Sequence, residues 1–124
     1  MIRTKPSLTD NMDMLQIMHS QPSKKPIVFV SGYVGEEVSY RGFVSDCEAS
    51  LENFKDTLVI CVDSAGGSLY DAMGMHDYLM DLRERGVNVV TSCQTKAFSA
   101  GAVILSCGTT RYMSKSANAM VHDV

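Results

Sequence analysis

Tryptophan is absent from the 124-residue sequence, proline occurs only three times, and none of the four cysteines belongs to a C-x-x-C pair. The three histidines are far apart, so the pattern of a zinc site is lacking and no metal centre is predicted. Apolar or small residues surround each cysteine, which predicts buried, reduced thiols rather than disulfides or metal ligands. The cysteines are Cys47, Cys61, Cys93 and Cys107.

Long apolar runs and basic clusters are lacking as well. No run approaches the roughly 20 residues that span a bilayer, and no basic cluster exceeds the pair Lys24 and Lys25. With a formal net charge of −3, the chain is predicted to have neither a membrane span nor a nucleic-acid surface. The N-terminus carries charges where a signal peptide would need its apolar core, which predicts a cytoplasmic protein.

Two segments of different composition make up the chain. Residues 1–25 are polar and rich in methionine, which predicts an N-terminal arm or short helix, with a contact segment for a partner or neighbouring subunit as the alternative. In residues 26–124, short β-branched runs alternate with segments of helical spacing, which predicts one α/β domain. Strands are predicted at 27–32, 57–62, 88–93, 111–114 and 119–124, and helices at 40–54, 69–85 and from 100 to 107. This order indicates a mostly parallel sheet with helical crossovers.

Two small-residue turns follow the second and third predicted strands. They are S-A-G-G-S at residues 64–68 and K-A-F-S-A-G-A at residues 96–102. The carboxyl ends of parallel strands meet at one edge of a sheet, so the two turns are expected to lie side by side. The second turn delivers Ser99 to the start of a predicted helix, where small neighbours admit a substrate carbonyl and free N–H groups are available.

Acyl-transfer chemistry needs a nucleophile, a base and donors for an oxyanion. Ser99 is the candidate nucleophile, His122 the candidate base, and the turn at Gly66 and Gly67 a candidate source of an oxyanion amide. Each also has a plain structural interpretation: a small residue in a tight turn, a hydrogen-bonded core histidine and a strand-to-helix turn. The occurrence of all three in one short α/β domain favours the catalytic interpretation.

A third catalytic residue is not identified by the pattern. Asp123 adjoins His122, but consecutive side chains of the predicted strand point to opposite faces, so it is not expected to orient the imidazole. Asp63 and Asp71 flank the glycine turn, and Asp71 is interpreted as a helix cap or a solvent-facing residue. Lys96 is interpreted as a solvated loop charge rather than the base of a Ser/Lys dyad.

Five motifs in this order resemble those of one known family. They are I-V-F-V-S-G, S-A-G-G-S, K-A-F-S-A-G-A, G-T-T-R-Y and N-A-M-V-H-D, and they run from about Ile27 to the last residue. In their order and approximate separations they resemble the Clp protease proteolytic subunit, a serine peptidase family that includes phage-encoded relatives. The resemblance implies a Clp-protease- and crotonase-like spiral of β-β-α units with a mostly parallel sheet.

The resemblance also implies a site and an assembly. Ser99 would attack the scissile carbonyl of a polypeptide substrate, His122 would take its proton, and the amides of Gly67 and Ala100 would stabilise the oxyanion. The subunits would form heptameric rings that stack face to face, fed by a AAA+ unfoldase. Only that partner ATPase would use ATP, and no cofactor is implied for the chain itself.

Three departures from the family pattern bear on activity. Ala65 stands where the family usually has proline, and Thr95 and Lys96 replace a more usual pair of small residues. The family's catalytic aspartate lies beyond His122, where this sequence ends, so the C-terminal part of the domain is expected to be lacking. Loss of that aspartate costs on the order of 10⁴ in rate in the serine-protease template. A catalytically silent ring subunit or scaffold therefore stays open as an alternative. A crotonase-fold acyl-CoA enzyme is the second alternative, because the string F-S-A-G-A also resembles that family, which likewise uses two backbone amides for an oxyanion.

Overall fold

A computed structural model describes residues 26–122 of the chain. Its elements are β1 (Ile27–Ser31), α1 (Tyr40–Asn53), β2 (Thr57–Ser64), α2 (Leu69–Glu84), β3 (Asn88–Phe98), α3 (Ala100–Leu105), β4 (Thr110–Met113) and β5 (Asn118–Met120). The arm or short helix predicted for residues 1–25 lies outside the described residues.

The five strands form one sheet in which every ladder is parallel. The strand order is β1-β2-β3-β4, and β5 pairs with the far end of β3. Successive residues of the central strand β2 point to opposite faces: Ile60 packs into the main core with the helices, whereas Val59 joins a smaller apolar cluster. The parallel sheet with helical crossovers confirms the predicted α/β fold class.

Serine caps fix where the two long helices begin. The Oγ of Ser39 accepts the N–H of Gly42 at the start of α1, and the Oγ of Ser68 accepts the N–H of Asp71 at the start of α2. The helix α2 then buries one apolar face against the core and ends before Gly86, which has a φ of +93°. The cap at Ser68 also sets where the preceding glycine turn ends.

Two predicted strands end more than two residues from their observed ends, and both corrections concern the candidate site. The third strand continues past Cys93 to Phe98 because its last three residues pair with β5. The fifth strand ends at Met120, so His122 follows the strand instead of lying within it. The argument from strand alternation about Asp123 therefore does not apply, and Asp123 itself lies outside the described residues.

All four cysteines are buried and free, as the sequence predicts. Desolvation raises the pKa of Cys61 and of Cys107 to about 11 each, and burial also raises the pKa of Cys47. Because the thiolate is the reactive form, these groups are poor nucleophiles near neutral pH. Between residues 26 and 122, no group of three or more potential metal-ligating side chains occurs, and no helix has the length and apolarity needed to cross a membrane.

Candidate active site

Ser99 occupies the single residue between β3 and α3. Its backbone has a φ of 54° and a ψ of −116°, and it is the only non-glycine residue with positive φ in the described part of the chain. Such a conformation costs on the order of 1–3 kcal/mol, so the surrounding structure must hold it in place. The Oγ of Ser99 makes no capping hydrogen bond to the helix that it precedes. A strained serine on a sharp strand-to-helix turn is the geometry that exposes a nucleophilic hydroxyl.

The glycine turn lies directly beside this serine. A Cβ added to Gly66 would approach the Cβ of Ser99 to 3.2 Å, and one added to Gly101 would lie 3.0 Å from the carbonyl oxygen of Ser64. Within the turn, the Oγ of Ser64 accepts the N–H of Gly66 at 3.1 Å. The expectation that the two turns meet at one edge of the sheet is therefore met, and glycine at these positions permits the close approach.

The segment after β1 holds the glycine turn from the other side. Val34 donates its N–H to the carbonyl oxygen of Gly66 at 2.9 Å and accepts the N–H of Ser68 at 2.7 Å. These two bonds flank Gly67, which has a φ of +138° and no room for a Cβ, since that atom would lie 2.2 Å from the Val34 oxygen. Val34 thus bonds to the residues before and after Gly67, and the N–H of Gly67 itself takes part in neither bond. We call these two bonds the Val34 bridge.

Two backbone N–H groups at the meeting point have no acceptor within the described residues. One belongs to Gly67, which is exposed, and the other to Ala100, the first residue of α3. The first N–H groups of a helix have no intrahelical acceptor, which explains the second case. Free donors of this kind are what an oxyanion requires.

The segment that carries His122 is tied to Ser99 through the backbone. The N–H of Ser99 donates to the carbonyl oxygen of Met120 at 2.7 Å, and Phe98 stands opposite Met120 in the β3–β5 register. His122 lies two residues after Met120 and is exposed. The backbone at Ser99 therefore lies against the backbone two residues before His122. The catalytic roles of Ser99 and His122 stay predictions.

Lys96 is partly solvated, as the sequence predicts, with a side chain 43% exposed, but the prediction that it lies in a loop is wrong. It lies within β3, and its Nζ donates to Oδ1 of Asp63 at 2.9 Å, an oxygen that also accepts from the hydroxyl of Thr95 at 2.7 Å. These hydrogen bonds lower the pKa of Asp63, and the bond to Asp63 raises the pKa of Lys96. A lysine held in its charged form is unsuited to act as a general base, which argues against a Ser/Lys dyad.

The pairing arises from an irregularity between the two strands. Val62 stands opposite Cys93, but Ser64 stands opposite Ala97, so β3 advances by more residues than β2 over this interval. The extra length of β3 brings Thr95 and Lys96 within reach of Asp63. Sequence reasoning missed this contact and the Val34 bridge because each joins residues about 30 positions apart, and no local pattern reports such a contact.

Comparison with protein families places the chain in a known family. Residues 10–124 match the family described as Clp protease, which spans nearly the whole chain and includes every residue of the candidate site. The family predicted from the five motifs is thereby confirmed, and the crotonase-fold alternative is not supported.

Proposed function

Because the chain belongs to the Clp protease family, we propose that it is a serine endopeptidase that cleaves unfolded polypeptides through an acyl-enzyme. In this proposal Ser99 is the nucleophile and His122 is the general base. The observation that carries the proposal is the backbone strain at Ser99, whose hydroxyl makes no cap bond at a strand-to-helix turn. A nucleophile benefits from such a conformation, because it exposes the hydroxyl at the turn.

The oxyanion in this proposal is bound by the amides of Gly67 and Ala100. Support comes from their two N–H groups, which have no acceptor among residues 26–122, and from the close approach of the glycine turn to Ser99. Charge develops on the carbonyl oxygen as Ser99 attacks, so donors that are already oriented stabilise the transition state more than the substrate. Removal of one such donor typically costs on the order of 10²–10³ in rate.

His122 then accepts the serine proton and returns it to the leaving amine. The hydrogen bond between Ser99 and Met120 supports this pairing, since it anchors the histidine segment next to the nucleophile. The remaining parts of the proposal follow from family membership alone. They are assembly of identical subunits into heptameric rings, delivery of substrate by a AAA+ unfoldase that hydrolyses the ATP, and a cytoplasmic location.

Hydrolysis of fluorogenic peptides tests the proposal. The wild-type protein is expected to release the fluorophore, and Ser99→Ala and His122→Ala are each expected to lower kcat by about 10³-fold or more. Ser106→Ala is a matched control, because Ser106 lies at the end of the same helix and its hydroxyl donates to the Val103 carbonyl. Unchanged hydrolysis in Ser99→Ala would rule out this serine as the nucleophile.

The competing hypothesis of a silent ring subunit makes the opposite prediction. It expects oligomers by light scattering, no hydrolysis of any peptide, and no consequence of Ser99→Ala. The strain at Ser99 argues against it, because a subunit under no catalytic selection gains stability by losing that conformation.

A further inference from the structure

The orientation of the Gly67 amide depends on a segment distant in sequence. Gly67 is held between two hydrogen bonds that both involve Val34, a residue only 1% exposed. The segment 33–39 that contains Val34 is not part of any helix or strand. Hydrogen bonds within the segment shape it, among them the one from the N–H of Gly35 to the carbonyl oxygen of Val38 at 2.8 Å. Its placement against the glycine turn also depends on how its two ends are anchored, and β1 anchors the first.

The second contact is made by the carboxylate of Asp71. Its Oδ2 accepts the N–H of Tyr40 at 2.9 Å, and its Oδ1 accepts the hydroxyl of Ser68 at 3.0 Å. Tyr40 directly follows the segment 33–39, and Ser68 directly follows Gly67. The carboxylate of Asp71 thus links the C-terminal end of the segment 33–39 to the residue after Gly67.

The packing around this carboxylate is close. A Cβ on Gly35 would lie 2.8 Å from the Cβ of Ser68 and 3.7 Å from Cγ of Asp71, and a Cβ on Gly74 would lie 2.8 Å from the Tyr40 ring. Space for an alternative path of the segment is therefore small as long as Asp71 keeps both acceptor contacts. Charge-assisted hydrogen bonds of a carboxylate are also stronger than neutral ones.

We propose that Asp71 is a positioning residue, which orients the Gly67 amide toward the oxyanion by fixing Val34 through the segment 33–39. The catalytic part of this inference rests on the proposed peptidase function. Asp71 is not placed at the reacting carbonyl; its contribution reaches the site through its carboxylate hydrogen bonds to Tyr40 and Ser68 and then through the backbone hydrogen bonds of Val34.

Steady-state kinetics test the catalytic part. Asp71→Ala is expected to lower kcat for a fluorogenic peptide about tenfold or more, with KM changed less than about twofold, because the oxyanion donor acts mainly in the transition state. The affinity for a peptide boronate, which mimics that state, is expected to weaken by the same factor as kcat/KM. Asp71→Asn keeps an acceptor oxygen for the N–H of Tyr40 and offers an amide N–H to the hydroxyl oxygen of Ser68, so both links stay and most of kcat is expected to return.

The matched control is Glu48→Ala. Glu48 on α1 accepts a hydrogen bond from the Tyr78 hydroxyl on α2, so it links the same two helices as Asp71 does, away from the glycine turn. This variant is expected to lower the thermal midpoint with kcat unchanged. Equal losses of kcat in both variants would overturn the proposal, since any weakening between the helices would then suffice.

Amide hydrogen exchange tests the positioning part without activity. In Asp71→Ala, exchange is expected to rise at the N–H groups of Val34 and Ser68, and in Glu48→Ala it is expected to stay at the wild-type rate there. Unchanged exchange in Asp71→Ala overturns the proposal, as does faster exchange with an unchanged kcat. If the wild-type protein hydrolyses no peptide, the proposed function fails, and exchange alone decides whether Asp71 holds the turn.

Discussion

Replacement of Ser99 by glycine is expected to abolish hydrolysis and at the same time stabilise the fold relative to Ser99→Ala. Both variants remove the hydroxyl, which makes no capping hydrogen bond. Only glycine also removes the Cβ, which is the source of the strain at a φ of 54°. The difference between the two variants therefore isolates the cost of holding a side chain in this conformation.

The magnitude follows from two opposing contributions. Relief of the strain contributes about 1–3 kcal/mol to the free energy of unfolding. The greater freedom of glycine in the unfolded chain costs about 0.5–1 kcal/mol. With the middle of each range, the free energy of unfolding of Ser99→Gly is expected to exceed that of Ser99→Ala by about 1 kcal/mol. This corresponds to about 4 °C in the thermal midpoint of a domain of this size.

Urea and thermal unfolding at equal protein concentration measure this difference. The same pair of substitutions at Ser106 is the control, because that residue has an ordinary helical φ of −68° and ψ of −14°. There, glycine is expected to be less stable than alanine by about 0.5–1 kcal/mol. If Ser99→Gly is no more stable than Ser99→Ala, the backbone at Ser99 is not strained and the main support for its catalytic role is lost.

Three further changes have expected outcomes. Gly67→Ala is expected to destabilise the fold by about 2 kcal/mol or more in urea unfolding, because its Cβ would collide with the Val34 carbonyl. Asp63→Asn is expected to lower the thermal midpoint at neutral pH. The difference from wild type is expected to shrink below pH 3.8, because Asp63 protonates as the pH falls through its lowered pKa. It is also expected to shrink above pH 10.5, because Lys96 deprotonates as the pH rises through its raised pKa. Cys61 is expected to react with iodoacetamide at least ~100-fold more slowly in the folded than in the unfolded protein, since burial raises its pKa to about 11.

Each of these expectations has a contrary result. For the first, Gly86→Ala is the control, because Gly86 has a φ of +93° but nothing within 4 Å of an added Cβ; equal losses in the two variants would mean that no collision occurs. For the second, a difference that persists at pH 2 would show that the ion pair is not its source. For the third, equal alkylation rates before and after unfolding would show that the thiol is not buried.

The helices and strands that the sequence predicts are those whose own residues show a clear apolar pattern. The run of β-branched residues in β2 and the helical spacing that follows Leu69 report burial within a few residues of themselves, so their type and order are predicted correctly. The small residues around Ser99 likewise predict a sharp turn at the end of a strand.

The parts that the sequence does not predict depend on contacts between distant segments. Lys96 lies among polar residues, which predict a loop. It belongs to a strand because its backbone pairs with β5, and its side chain then reaches Asp63. Nothing in the sequence around Val34 distinguishes it from other valines, and its hydrogen bonds to the glycine turn are visible only in the fold. Asp71 has the spacing of a helix cap, but its second acceptor contact, to Tyr40, spans 31 residues. Local propensity carries no information about such partners.

Time-resolved mass spectrometry of the protein treated with a fluorophosphonate tests the central claim most directly. The account predicts one adduct, on Ser99, that forms about 10³-fold or more slowly in His122→Ala than in the wild type. An adduct on any other residue, or formation on Ser99 at the same rate in both proteins, would contradict it.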